Sequence, residues 1–275
     1  MNKIDISYAS KVEHNFAQRL IIKTIEKLTG KRKLEKIYKD FSRDNYDPRY
    51  FWSGILEFMD IKITDKSKKK LNIPTTGPLL IIANHPFGII DGLILCSIAS
   101  KMRSDFKILT HETLKLLPEL DEFILPIEFN DSDKNTIKNN IKTTKCAKEH
   151  LMAGGLLIIF PSGGVSIARN HDLAQVTDDW KLFTAKLIQQ TKTNVLPIYF
   201  DGRNGFLFNL FAAKLKNQTL KYSSYIHETR KKIGKEIIIY SGDIIKFDEM
   251  KNIKNRKVLT EFLKNKTYNL IKDKS

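Results

Sequence analysis

Leu79-Leu80-Ile81-Ile82-Ala83-Asn84-His85-Pro86-Phe87-Gly88-Ile89-Ile90-Asp91-Gly92 is the stretch on which the reading of this chain turns. Five consecutive apolar residues bounded by turn formers are too short for a buried helix and have no polar face, so they predict a strand buried on both sides. Pro86 and Gly88 break regular structure straight after it, so the chain must turn there. His85 therefore stands at a strand end, and Asp91 stands where the N-cap of a following helix is expected. Crevices that hold ligands form at strand ends of α/β sheets. A turn of this length can fold the carboxylate back on the imidazole, fixing its tautomer and stabilising the imidazolium that forms when the other nitrogen takes a proton.

Outward from this stretch the same texture repeats. Short apolar runs predict strands at Leu79 to Ala83, Asp105 to Leu109, Leu156 to Phe160, Val195 to Phe200 and Glu236 to Tyr240. Helical segments are expected between and after them at Gly92 to Lys101, Asp133 to Met152, Asp179 to Thr191, Phe206 to Leu215 and Lys254 to Ile271. Alternation of this kind gives an α/β fold, a central mixed sheet flanked by helices. Upstream, helices are expected at Phe16 to Leu28, Leu34 to Phe41 and from Tyr50 to Met59, ahead of the lysine run Lys66 to Lys70. The chain thus divides into an N-terminal helical region, residues 1–70, suited to core capping or to membrane association, and an α/β domain, residues 71–275.

The 275 residues are 41% hydrophobic, enough for one sizeable core, which excludes a disordered chain. Lys and Arg number 47 against 31 Asp and Glu, a formal charge of +16, so an anionic partner is expected: a membrane surface, a nucleic acid, an acidic carrier protein or a phosphorylated substrate. Cys96 and Cys146 stand in no CxxC pair and beside no histidine cluster, which argues against disulfide and zinc frameworks; no metal is expected. The first residues lack the apolar core and cleavage site of a secretory signal, and are read as part of the mature protein. No apolar run reaches the roughly 18 residues of a spanning helix, so any membrane contact is expected to be peripheral.

A second strand-to-turn segment, Leu156-Leu157-Ile158-Ile159-Phe160-Pro161-Ser162-Gly163-Gly164, complements the first. Its glycines allow close approach of a ligand, and its turn amides can form an anion-binding nest. A third strand, Val195 to Phe200, ends in Asp201-Gly202-Arg203, where Arg203 fits a solvated surface role first, and otherwise a contact to an anionic headgroup or a pantetheine phosphate. A His/Asp pair with no evident nucleophile suits direct transfer, in which the histidine deprotonates an acceptor hydroxyl or amine that then attacks an acyl thioester. His111 is the best second histidine; Arg169 and His171 lie downstream of the glycine turn; His14, His150 and His227 have no visible partner. The apolar stretch Phe206 to Ala213 fits an acyl-chain tunnel, a bilayer contact or a core helix equally.

Asn84-His85-Pro86-Phe87-Gly88-Ile89-Ile90-Asp91-Gly92 resembles the N-H-P-F-G-x-x-D-G form of the His/Asp motif of the lysophospholipid acyltransferase superfamily. Phe160-Pro161-Ser162-Gly163 resembles the F-P-x-G motif of that superfamily, and Val195-Leu196-Pro197-Ile198 is similar to its fourth block. The resemblance runs in order from roughly Leu79 to Gly242, including the stretch with Arg230-Lys231-Lys232 and Gly234. It implies catalysis by His85 and Asp91, with Asn84, Phe87, Gly88, Phe160, Pro161, Ser162, Gly163, Gly164 and Arg203 around the substrates. It also implies a thioester donor, acyl-CoA or acyl carrier protein, as cosubstrate with no bound cofactor, and a membrane lipid as acceptor.

The His-to-Asp spacing is one residue longer than the glycerolipid branch usually has, Ser162 replaces a glutamate, and no block-two arginine stands near Leu125-Pro126-Ile127-Glu128-Phe129. These departures lean toward the hemolysin-like branch, which includes ornithine-lipid O-acyltransferases, and so toward an aminolipid acceptor. The alternative is a lysophosphatidic acid acyltransferase of phospholipid synthesis. Either implies a peripheral enzyme on the cytoplasmic face of the inner membrane, with no nucleic-acid partner.

Two other classes compete. A non-catalytic basic module binding nucleic acid or membranes has charge alone behind it, since no helix-turn-helix, zinc-finger or RNA-binding signature is present. A serine hydrolase using Ser162 or Ser166 lacks the G-x-S-x-G elbow.

Overall fold

The structure, a computed structural model, describes residues 36, 40, 41, 50–111, 118–127, 134–166, 179–205, 208 and 218–272. The expected helix at Phe16 to Leu28, most of those at Leu34 to Phe41 and Phe206 to Leu215, and Glu128, Arg169, His14 and His171 lie outside these residues.

Seven strands make one sheet: β1 (Lys62–Asp65), β2 (Leu79–Ala83), β3 (Phe106–His111), β4 (Ile124–Ile127), β5 (Leu156–Ile159), β6 (Asn194–Asp201) and β7 (Glu236–Ser241), in the order β1-β7-β6-β2-β5-β3-β4. Strands β6, β2, β5, β3 and β4 run parallel, whereas β7 is antiparallel to β6 and carries β1 parallel to itself. Around the sheet lie α1 (Phe51–Phe58), α2 (Ile89–Ser100), α3 (Lys134–Met152), α4 (Leu182–Thr191), α5 (Gln218–Lys232), the short α6 (Phe247–Met250) and α7 (Arg256–Asn269). The expected mixed α/β sheet is the observed one.

The five residues of β2 are all buried because the strand lies inside the sheet between β5 and β6 and both of its faces are covered. Leu79, Ile81 and Ala83 point into one core with Phe51, Trp52 and Ile55 of α1 and Ile90, Ile94 and Leu95 of α2. Leu80 and Ile82 point into the other with Ala147 and Leu151 of α3, Leu187 and Ile188 of α4 and Leu259 and Leu263 of α7. Alternation along a strand divides the residues between two cores, each such Leu or Ile contributing about 1.5–3 kcal/mol by burial.

Three expectations are corrected. Lys62–Asp65 falls in the stretch expected to be helical, yet it forms the edge strand β1, and α1 shares its core with the sheet. Ile124–Ile127 was not expected as a strand; it is the opposite edge, β4, where Pro126 is tolerated because a ladder runs on one side only. The helix after the first motif starts at Ile89 rather than Gly92, with Gly88 as its N-cap and Asp91 in its first turn.

At the N-terminal ends of the parallel strands a buried arginine closes the loops. Arg103 donates to Asp105 at 2.7 and 2.5 Å, to the Gly77 carbonyl at 2.6 Å and to the Gly154 carbonyl at 2.6 Å. The two bonds from Arg103 to Asp105 hold its carboxyl below the usual carboxylate range. The opposite ends of the strands, where His85 lies, carry no such plug of charge from Arg103.

Candidate active site

The turn after β2 is built so that one carboxylate organises it. Asp91 is fully buried, and its Oδ2 accepts the Phe87 amide at 2.8 Å and the Gly88 amide at 3.0 Å while standing 2.9 Å from Nδ1 of His85. Gly88 reaches this arrangement at φ +75°, a left-handed conformation open to glycine without strain. The other oxygen, Oδ1, is buried without a hydrogen-bond partner. Burial pushes the carboxyl pKa up, and the bonds and charge from His85 and the two amides oppose that shift. A desolvated carboxylate with one idle oxygen is costly in the ground state and is well matched to a positive imidazolium.

With Asp91 accepting, Nδ1 of His85 carries the hydrogen and Nε2 presents its lone pair. The imidazole side chain keeps 16% exposure, and Nε2 has no hydrogen-bond partner among the described residues. Its ring is stacked on Phe160, centroids 3.9 Å apart at 17°, and its carbonyl accepts the Ser166 amide at 2.8 Å. The two motifs, on neighbouring strands β2 and β5, are thus joined through this one histidine. Such an oriented, half-sheltered base can take a proton from a group delivered to the strand ends.

The remaining expected residues divide. Phe160 lines the site directly. Pro161 is buried below it and its carbonyl accepts the Lys181 amide at 2.8 Å. Ser162 donates its hydroxyl to the Gly164 carbonyl at 2.8 Å and makes no bond to His85, which removes the arrangement a serine hydrolase would need there. The Gly163 amide closes a turn on the Phe160 carbonyl at 2.9 Å, so the expected anion nest cannot use that donor; Gly164 is exposed.

Asn84, expected as a substrate contact, pins β2 to β6. It is buried, its amide nitrogen donates to the Phe200 carbonyl at 3.0 Å and its oxygen accepts the Phe200 amide at 2.7 Å. The side chain extends the β2–β6 ladder one step beyond Ala83 and fixes where His85 emerges. Arg203 is exposed beyond the end of β6. His111 ends β3 on the same edge as His85 with β5 between them.

Phe87 is buried against Gly202, which has φ +138° and whose added Cβ would stand 2.5 Å from the ring. Gly202→Ala is therefore expected to lower stability by about 1–3 kcal/mol through strain and displacement of Phe87. Thermal unfolding checks it: an unchanged melting temperature would mean that the loop moves freely.

One residue beside the site was given no role from sequence. Lys232, at the C-terminal end of α5, holds its Nζ 4.0 Å from the Phe87 ring centroid. Burial lowers its pKa, and the charges of Glu228 and Asp91 act in the opposite direction. The only sequence signal was the basic run Arg230-Lys231-Lys232, indistinguishable from a solvated helix end.

The Acyltransferase family model matches residues 66–201, which contain both motifs. A lyso-glycine lipid O-acyltransferase of Phocaeicola vulgatus is 25% identical over 201 residues, 72% of this chain and 67% of that protein. One of the same name from Bacteroides thetaiotaomicron is also 25% identical, over 72% of this chain and 69% of its own length. The crystal structure of the 1-acyl-sn-glycerophosphate (LPA) acyltransferase PlsC from Thermotoga maritima superposes with a TM-score of 0.51 at 12% identity, covering 92% of this chain and 95% of that one, and so shares the fold. The protein is an acyltransferase. In the matched family and in its named relatives it is similar to the lysophospholipid acyltransferase superfamily.

Proposed function

We propose that this acyltransferase moves a fatty acyl group from a thioester, acyl-CoA or acyl carrier protein, to the hydroxyl of a lyso-aminolipid, with His85 as general base and Asp91 as its orienting carboxylate. The observation that carries the reading is the 2.9 Å contact between His85 Nδ1 and the buried Asp91, which leaves Nε2 as the proton acceptor. The acceptor oxygen attacks the thioester carbonyl as its proton passes to Nε2. Collapse of the tetrahedral intermediate re-forms the carbonyl, breaks the C–S bond and expels the thiolate, which takes the proton back from the imidazolium. No covalent acyl-enzyme is required, in keeping with a Ser162 hydroxyl bonded to a backbone carbonyl.

Support for an aminolipid acceptor comes from the names of the two curated relatives and from Ser162 standing where the glycerolipid branch has an acid. A lyso-glycine or lyso-ornithine lipid is the acceptor proposed. No described helix is long and apolar enough to cross a membrane. With a charge of +16, the protein is proposed to work peripherally on the anionic cytoplasmic face of the inner membrane, each basic residue near the surface adding about 1 kcal/mol.

Initial rates with one donor and matched lipid presentation test the acceptor. Faster transfer to lyso-glycine or lyso-ornithine lipid than to lysophosphatidic acid is expected. The reverse order would return the chain to glycerophospholipid synthesis.

A further inference from the structure

Lys232 stands out among the basic residues for its surroundings. Its side chain is half-buried, and its ammonium lies on the face of Phe87 and makes no ion pair or hydrogen bond among the described residues. The nearest acid on its own helix is already engaged: Glu228 accepts Lys231 Nζ at 2.8 Å and the Gly205 amide at 2.8 Å. Asp91 is close enough to act on Lys232 through its charge, yet its Oδ1 has no hydrogen-bond partner, so the two do not pair. A desolvated ammonium resting only on a ring face is poorly compensated, and an arriving oxyanion would satisfy it with charge-assisted hydrogen bonds.

Its position also says which oxyanion. The amide of Phe87, the ring Lys232 covers, is bonded to the same Asp91 oxygen that orients His85. The cation therefore neighbours the reacting centre, close enough to feel the charge of Asp91. In a lyso-lipid the free hydroxyl and the charged headgroup are separated by a comparably short path. The phosphates of coenzyme A or of a carrier protein's prosthetic arm are remote from the thioester carbonyl, at the far end of the pantetheine.

We propose that Lys232 binds the anionic headgroup oxygens of the acceptor, the carboxylate of an amino-acid lipid, and so sets its hydroxyl before Nε2 of His85. This rests on the lyso-aminolipid reading above for the identity of the carboxylate. Lys232 is a specificity-determining residue for the acceptor, while the donor phosphates are left to other parts of the surface.

Steady-state kinetics of Lys232→Met and Lys232→Arg test this, using lyso-glycine lipid, its carboxyl methyl ester and lysophosphatidic acid as acceptors. Methionine keeps the stem packed on Phe87 and removes the charge. The expected result is a KM for lyso-glycine lipid raised roughly tenfold or more in Lys232→Met, as for loss of one charged hydrogen bond. The donor KM and the rate on the methyl ester should be unchanged, and Lys232→Arg should recover most of the loss. An equal loss on acid and ester, or a raised donor KM with an unchanged acceptor KM, would overturn the assignment. If the wild type acylates lysophosphatidic acid and no lyso-aminolipid, the acceptor reading fails by itself. The KM of Lys232→Met for lysophosphatidic acid then decides the lysine: a rise supports its role, and no change overturns it.

Discussion

His85→Ala is expected to lower acyl transfer by roughly 10²–10⁴-fold, the usual contribution of a positioned general base. The fold should survive. His85 lies past the end of β2 and is partly exposed, and Asp91 keeps the Phe87 and Gly88 amides on its Oδ2 when the imidazole is gone. The stability lost is the Phe160 stack, about 0.5–1.5 kcal/mol. Turnover measured as thioester release, beside a thermal melt, separates the two effects. Near-normal turnover in a folded variant would sink the mechanism.

Asp91→Asn should be nearly as damaging to turnover, by up to about 10⁴-fold, because an amide can hold the turn but offers no charge to the imidazolium. Its effect on stability has the opposite sign. Burial raises the folded-state pKa of Asp91 above its value in the unfolded chain. A group shifted in that direction favours the fold while protonated, below the unfolded pKa, and that contribution is lost as pH rises through the folded value. In its ionised form the carboxylate therefore works against folding, and the neutral amide removes that burden. Asp91→Asn is expected to melt at or above the wild-type temperature near neutral pH while being almost inactive. A large fall in melting temperature would show that the charge stabilises the turn.

Leu79–Ala83 was legible because a central parallel strand must be apolar throughout, and the pairing of His85 with Asp91 was legible because Pro86 and Gly88 force the turn between them. Lys62–Asp65 was not, since an edge strand with one apolar residue, Ile63, is defined by its partner β7, far along the chain. Ile124–Ile127 was hidden by Pro126, which is acceptable only at an edge that the sequence does not mark. Asp91 looked like an N-cap; Gly88 takes that place because the carboxylate is drawn back to three donors at once.

Side-chain roles were harder to read than strands. Asn84 reads as a substrate contact beside a reactive histidine, and only the β2–β6 register shows that both ends of its amide meet Phe200. Lys232 was invisible among 47 basic residues, because what distinguishes it is the company of Phe87 and the engagement of Glu228 elsewhere, both products of how α5 returns to the sheet.

The most direct test follows thioester consumption and ester formation together, with purified protein, one acyl thioester and lyso-glycine lipid added or withheld. Direct transfer through His85 gives one ester formed for each thioester cleaved, no cleavage without the acceptor, and both processes slowed roughly 10²-fold or more in His85→Ala. Thioester cleavage that proceeds without acceptor through an acylated protein, or transfer near the wild-type rate in His85→Ala, would contradict it.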